Sequence, residues 1–115
     1  MNIENASGLF TRRARSEQVS FHRIELGPIL SLYGRMVAAG EWRDYGISHL
    51  RDRAVFSVFR RSAEYPLYQI EKRSGSTPRH ERYVILAMDG RILKRGADLK
   101  SVLRVLESKI IRLVN

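Results

Sequence analysis

The stretch RYVILAMDGRILKR, residues 82–95, decides the fold class because it has the pattern of a β-hairpin. Its two halves, RYVILAM and RILKR, are apolar strand-like runs on either side of Asp89-Gly90. Asp-Gly between two such runs is a strong hairpin signal, since a type I′ turn needs a positive φ at both central residues. We therefore predict two antiparallel strands joined by a type I′ turn at Asp89 and Gly90.

A second pair of strand-like runs precedes this hairpin. AVFSVFR (54–60) and PLYQIEK (66–72) are separated by a short loop, and Pro66 stands where the start of a strand tolerates proline. With residue 60 opposite residue 66, the register gives Phe56 with Ile70 and Val58 with Tyr68 on one face, and Phe59 with Leu67 and Ser57 with Gln69 on the other. The first face is predicted to be core and the second to be half polar.

Apolar helices are predicted before and after the strands. The run ELGPILSLYGRMVAAGEW, from Glu25, has helical apolar spacing, with Pro28 in its first turn and Gly40 at its end. It is apolar nearly all round, so we expect burial on more than one side, in the core or against a second copy. Asp98 is the predicted N-cap of a last helix, whose apolar stripe is Leu99, Val102, Leu103, Leu106, Ile110 and Leu113.

These elements predict an α+β fold. Its parts are an N-terminal helix, an antiparallel β-meander of four strands, or five if EWRDYGISHLRDR (41–53) supplies one, and a C-terminal helix packed on the sheet. The length of 115 residues allows one core, so residues 19–115 are predicted to form a single domain. Residues 1–18 have three arginines and few apolar residues, which is typical of a flexible basic tail.

The charge is strongly positive, with 21 Lys and Arg against 12 Asp and Glu and a net charge of +9. Such a field attracts polyanions, nucleic acid among them. The chain has no cysteine, which excludes disulfides and thiol chemistry and fits a reducing compartment. No apolar run approaches the ~18 residues that span a bilayer, and the start has no signal-peptide pattern. We expect a cytoplasmic protein with no membrane partner.

Motifs of catalysis are missing from the sequence. There is no glycine-rich phosphate loop, nucleophile elbow or HExxH pattern, and the three histidines, His22, His49 and His80, fall in different segments. Neighbouring carboxylates have basic residues beside them, which favours surface ion pairs over acid–base chemistry. We predict no catalytic residue, no cofactor, no metal site and no small-molecule substrate, and hence a protein that is not an enzyme.

Basic residues concentrate in and beside the strands. An arginine rim around a sheet face that shows an aromatic ring can hold phosphates by charge and stack bases. The predicted nucleic-acid-binding residues are Arg53, Phe59, Arg60, Arg61, Arg73, Arg79, Arg82, Lys94 and Arg95. The pattern is not that of an RNA-recognition motif, because Phe56 and Phe59 fall on opposite faces and its glycine signature is missing. An equal alternative is a solvated rim that keeps the sheet soluble.

Two blocks, GEWRDY (40–45) and RDRAVFSVFRR (51–61), carry a resemblance together with the later ILKRGADLKSVLRVLESK. Over about residues 19–110 the chain resembles a family of small alphaproteobacterial proteins known only as a domain of unknown function. The resemblance implies a bacterial, cytoplasmic, single-domain protein. It brings no catalytic residue, cofactor or partner.

Two functions follow as hypotheses. The first is a non-enzymatic protein that binds DNA or RNA through an arginine-rich sheet edge. The alternative is a protein-interaction module, a homodimer through the apolar first helix or through the Phe59/Leu67 sheet face. One contiguous basic patch containing Phe59 favours nucleic acid, whereas scattered arginines favour the solvated rim.

Overall fold

A five-stranded antiparallel sheet carries both helices. The computed structural model describes residues 18–60 and 65–114, and its elements are α1 (Arg23–Ala38), β1 (Asp44–His49), β2 (Arg53–Phe59), β3 (Tyr68–Arg73), a 3-10 turn (Arg79–Glu81), β4 (Tyr83–Ala87), β5 (Ile92–Gly96) and α2 (Leu99–Val114). The strand order is β1-β2-β3-β4-β5, a simple meander. The α+β class is confirmed, and the strand count is five because segment 41–53 supplies β1. The predicted tail, apart from its last residue, and Arg61 lie outside the described residues.

The predicted register of β2 with β3 is confirmed. Phe56 is opposite Ile70, Val58 is opposite Tyr68 and Ser57 is opposite Gln69. The Leu67 amide donates to the Val58 carbonyl at 2.7 Å, which places Leu67 beside Phe59. Alternation along these strands then separates a core face from a half-polar one, as the sequence predicted.

Both helices pack on the core face of the sheet. The buried sheet residues Ala54, Phe56, Val58, Ile70 and Ile85 meet Ile29, Leu32 and Met36 of α1 and Leu99, Val102, Leu103 and Leu106 of α2. Ile110 and Leu113, predicted to extend the α2 stripe, lie beyond the part of the chain whose side chains are described. Neither helix is long and apolar enough, within the described residues, to cross a membrane.

Within the single chain, helix α1 is buried only where it faces the sheet and α2, so the expectation that it lies deep in the core is wrong, while burial against a second copy stays a prediction. Ile24, Leu30 and Val37 are exposed, although they belong to the same apolar helix. The reason is the layer arrangement: α1 lies on the sheet and meets α2 along one flank, and the rest of its surface faces outward.

A carboxylate accepts hydrogen bonds at the N-terminal end of each helix. The His22 amide donates to Glu25 Oε1 at 2.7 Å, so α1 begins at Arg23 and Pro28 falls in its second turn, not its first. Asp98 caps α2 as predicted, because its Oδ2 accepts the Ser101 amide at 3.0 Å and the Ser101 hydroxyl at 2.7 Å. These hydrogen bonds lower the pKa of Asp98 below its ordinary value.

The hairpin at residues 82–95 is confirmed, but its turn is not type I′. The Ala87 amide donates to the Arg91 carbonyl at 2.8 Å, which leaves three residues, 88–90, in the loop. Only Gly90 has a positive φ, +86°, whereas type I′ also requires one at Asp89. A three-residue loop needs a left-handed residue only at its end, so Asp89 has an ordinary φ, and its carboxylate accepts the Arg91 amide at 3.0 Å.

A buried polar cluster of Glu25, Lys72 and Tyr83 joins the start of α1 to β3 and β4 by hydrogen bonds. Glu25 Oε1 accepts from Lys72 Nζ at 2.8 Å, Oε2 accepts from the Tyr83 hydroxyl, and Lys72 also donates to the Ser20 carbonyl at 2.9 Å. Burial alone would raise the pKa of Glu25, but the hydrogen bonds from Lys72 and Tyr83 lower it below its ordinary value. Burial and the bond to Glu25 raise the pKa of Tyr83 to about 12.

Candidate nucleic-acid interface

The face of the sheet opposite the helices, which we call the open face, carries no helix within the described residues. Val55, Glu71 and Val84 lie opposite one another across β2, β3 and β4 on this face. Arg95 of β5 is opposite Val84. The open face therefore has one cross-strand line of residues with a carboxylate in its middle and an arginine at its β5 end.

Three arginines form the next cross-strand line. Arg53 of β2 is directly opposite Arg73 of β3, and the Arg73 amide donates to the Arg82 carbonyl at 2.7 Å. We call Arg53, Arg73 and Arg82 the arginine row. Because neighbouring strands are about 4.8 Å apart, the row crosses roughly 10 Å of the sheet.

Glu71 pairs with two of the three arginines of the row. Its side chain is buried, with Oε1 2.8 Å from Arg73 Nη2 and Oε2 3.5 Å from Arg53 Nε. Arg53 also donates from Nη1 to Asp52 Oδ2 at 3.0 Å. The Nε groups of Arg53, Arg73 and Arg82 are all buried and have no hydrogen-bond partner among the described residues. Two carboxylates thus stand beside three guanidinium groups, so this part of the sheet has more donors than acceptors.

The open face also has buried apolar residues. Val84 is 2% exposed and Val55 is 5% exposed, although both are on the face without a helix. Neighbouring side chains of the sheet therefore cover them.

Two more predicted residues lie at the same end of the sheet. Arg95 shares the open face with the row and donates to Glu81 Oε1 at 2.8 Å. Arg79 is exposed in the 3-10 turn that joins β3 to β4, where the row ends. Five predicted residues are thus brought together: Arg53, Arg73, Arg79, Arg82 and Arg95.

The remaining predicted residues are elsewhere. Phe59 is on the open face but six residues from Arg53 along β2, roughly 20 Å away, and is half-buried. Arg60 beside it is paired with Glu41 at 2.8 Å. Lys94 is opposite the core residue Ile85, so the register places it off the open face. The basic patch is contiguous, but it does not contain Phe59.

The surfaces of the alternative hypothesis differ in exposure. Phe59 and Leu67 are neighbours and both are half-buried, so they offer little free apolar surface. Helix α1, in contrast, exposes Leu30 and Val37 on the flank that Tyr33 shares. Of these two surfaces, only the helix leaves large apolar side chains uncovered.

Glu71 is the residue of the candidate interface that the sequence did not single out. The predicted register already implies that it is opposite Val55 on the half-polar face, next to the pairing of Arg53 with Arg73. The signal that identifies Glu71 is a carboxylate beside two arginines, one on its own strand and one on the neighbouring strand, all on the same face of the sheet. Alternation of side chains was enough to find the residue, though not its burial.

The chain was also compared with known proteins. The sequence model of the family described as Protein of unknown function (DUF2794) matches residues 19–103. No curated protein and no solved structure matches the chain.

Proposed function

The chain belongs to the DUF2794 family, whose function is unknown, and we propose that it is a small basic protein that binds nucleic acid and catalyses no reaction. One observation carries the proposal: three arginines of neighbouring strands are aligned across the open face, and the buried carboxylate of Glu71 pairs with two of them. The Arg53 and Arg73 side chains are 37% and 35% exposed, so the ends of their guanidinium groups can reach an anionic ligand. Phosphate oxygens match those donors, because a guanidinium binds phosphate through two parallel N–H groups.

The charge around the row favours a polyanion over a single small anion. Arg79 and Arg95 extend the basic surface beyond the row, and only Arg95 is offset, by Glu81. The net charge of +9 draws a long anion to the protein from a distance. Several phosphates of one backbone can then contact the row and its neighbours at once.

The ligand is read through its backbone and not through its bases. The arginine end of the open face shows no aromatic side chain among the described residues, and Phe59 is roughly 20 Å away. Stacking on a ring is the usual way to hold unpaired bases, and a surface without one contacts phosphates. We expect similar affinity for different sequences and a steep dependence on salt.

The test is binding of duplex DNA and duplex RNA across a salt series by two triple variants. The site variant carries Arg79→Gln, Arg82→Gln and Arg95→Gln, which leaves both ion pairs of Glu71 in place. The control carries Arg43→Gln, Arg91→Gln and Lys100→Gln, three exposed cations away from the arginine row. Both variants lose the same three charges, so they separate a specific surface from the overall charge.

The slope of log affinity against log salt decides the outcome. Each phosphate contact contributes about 0.9 to that slope, so the site variant should lower it by about 2 to 3, and the control should change it far less. Equal losses in both variants would assign the binding to net charge alone. Failure of the wild type to bind at low salt would refute the proposal.

We also propose that the protein acts in the cytoplasm of an alphaproteobacterium. The absence of cysteine fits a reducing compartment, and the sequence resembles small proteins of that group. Detection of the native protein in the soluble cytoplasmic fraction of such a cell is the expected result. Recovery from the periplasmic fraction would contradict it.

A further inference from the structure

The two edges of the sheet are built differently. Residues 91–95, which lead into and form most of β5, include Arg91, Lys94 and Arg95, and a cationic edge discourages pairing with another strand. Strand β1, at the other edge, reads DYGISH and has its only carboxylate at its first residue. The β1 edge therefore lacks the charges that protect β5.

The outer side of β1 offers free backbone groups. The Leu50 amide donates to the Arg53 carbonyl at 2.8 Å, which fixes the alternation of the β1–β2 ladder. By that alternation the N–H and C=O groups of Tyr45, Ile47 and His49 point away from β2. The Tyr45 N–H donates to Oδ1 of its neighbour Asp44 at 2.8 Å, and this exposed carboxylate must give way before the amide can bond to another strand. No strand of the described residues pairs with this side of β1. Such an edge can accept another strand.

An apolar strip runs along the same edge. Its members are exposed by 40% to 43%: Leu30, Val37, Tyr45 and Ile47. They adjoin one another because Tyr33, one turn from Leu30 and from Val37, contacts the Tyr45 ring edge-on at 4.9 Å between centroids. Four of the nine large hydrophobic residues exposed in the described chain are thus gathered at β1.

The local charge decides which partner fits the edge. Two copies of a chain with a net charge of +9 repel each other over most of their surface. The segment 43–52, which contains β1, is an exception, because the charges of Arg43 and Arg51 are balanced by those of Asp44 and Asp52. A second copy meets no net repulsion there, and it brings an identical apolar strip and an identical set of free backbone groups.

We infer that a second copy of this chain pairs with β1 in the antiparallel direction, about a two-fold axis at Gly46. Residues with outward backbone groups must face each other, and this axis places Tyr45 opposite Ile47 of the second copy, twice. Pairs of an aromatic and a β-branched residue stabilise antiparallel strands. The two sheets join into one of ten strands, and both open faces lie on the same side of it.

Sedimentation of two lysine variants over a series of protein concentrations tests this pairing. The wild type should sediment as a dimer, in low and in high salt, because the contact is apolar. Ile47→Lys should give a monomer with an unchanged circular dichroism spectrum. Ile92→Lys is the matched control, since Ile92 is 41% exposed on the other edge, and it should remain a dimer. A monomeric wild type, or equal effects of both variants, overturns the inference.

Cross-linking tests the axis without removing a side chain. In the inferred pairing Gly46 faces Gly46 of the second copy, with Cα atoms about 4.5 Å apart, within reach of a disulfide. The natural chain has no cysteine, and a Cβ at Gly46 meets nothing within 4 Å. Gly46→Cys should form a covalent dimer on oxidation, whereas Gly75→Cys, at an exposed turn, should not. Cross-linking of neither variant, or of both at the same rate, rules out β1 as the contact.

Discussion

Replacing Glu71 by glutamine should weaken the fold and strengthen nucleic-acid binding at the same time. The side chain lies between Arg53 and Arg73 and compensates their charges. It also competes with phosphate for the same guanidinium groups. Glu71→Gln keeps the size of the side chain and removes only its charge, so the two effects can be measured separately on one variant.

The loss of stability can be sized from the burial of the partners. Breaking a fully buried ion pair by removing one partner costs 3–5 kcal/mol, because a buried charge is left without compensation. The Arg53 and Arg73 side chains are 37% and 35% exposed, so water can solvate them in part. We expect a loss of about 2 kcal/mol, a fall of roughly 10 °C in Tm for a domain of this size.

The gain in binding comes from one fewer negative charge at the site. A unit charge several ångströms from a phosphate at a hydrated surface contributes about 1 kcal/mol, which corresponds to roughly fivefold in affinity at low salt. Arg73 loses its carboxylate partner, whereas Arg53 keeps its pair with Asp52, so the salt dependence should also steepen, by about 0.9 in slope for each added contact. Affinity and salt dependence should therefore increase while the stability of the fold decreases.

Thermal or urea unfolding and titration of a labelled DNA duplex provide the two measurements. Glu107→Gln is the control, since it also removes one charge but breaks an exposed pair with Arg35 on the helix side. That pair contributes less than about 1 kcal/mol, and duplex affinity should gain less than for Glu71→Gln. A Glu71→Gln protein that is as stable as the wild type, or that binds DNA more weakly while still folded, would refute the reasoning.

Three further outcomes are expected. Phe59→Ala should leave the affinity for DNA unchanged in a direct titration, because Phe59 is half-buried and roughly 20 Å from the arginine row; a clear loss would restore it to the interface. The pKa of Glu25 is lowered in the folded protein, so its stabilisation is present above the ordinary value of 4.5 and is lost as the pH falls through the folded value. In urea unfolding the wild type should therefore lose its advantage over Glu25→Gln in acid, and an advantage independent of pH would contradict the hydrogen-bond network. Gly34→Ala should raise the free energy of unfolding by about 0.5–1 kcal/mol, because Gly34 lies in a helix and a Cβ there meets nothing within 4 Å. Gly90→Ala should lower the free energy of unfolding by about 1–2 kcal/mol, because Gly90 has a φ of +86°. Changes of the same sign in calorimetry would be inconsistent with these backbone conformations.

The hairpins could be predicted from sequence because their signals are local. Alternating apolar residues around a short polar turn specify both the pairing and the face of each residue, and the β2–β3 register followed from one assumption about the loop. The type of the turn at Asp89 could not be predicted in the same way. It depends on whether the loop has two or three residues, and the same Asp-Gly pair occurs in both kinds of hairpin.

The position of α1 at one side of the core could not be predicted from its sequence. Periodicity shows which residues of a helix are apolar, but not how many neighbours the fold places around it. Leu30 and Val37 have the same character as Ile29, and only the position of α1 at one side of the sheet leaves them exposed.

The arginine row was the least accessible part of the candidate site. The β2–β3 register places Arg53 opposite Arg73, but Arg82 joins them only through the β3–β4 register. The connection between these strands includes a 3-10 turn, Arg79–Glu81, whose length the sequence does not specify. The individual arginines were therefore identified, while their alignment, and the separation of Phe59 from them, required the three-dimensional structure.

The order of the strands has a consequence for how the chain folds. Every strand pairs with its neighbour in sequence, so the sheet can grow by successive hairpins, each of which forms within microseconds. The contact between the helices is different, because Arg35 and Glu107 are 72 residues apart and meet only when the whole sheet is in place. Closure of the helix layer is thus a late step of folding, and the amides of α1 and α2 should exchange with deuterium before those of β2, β3 and β4.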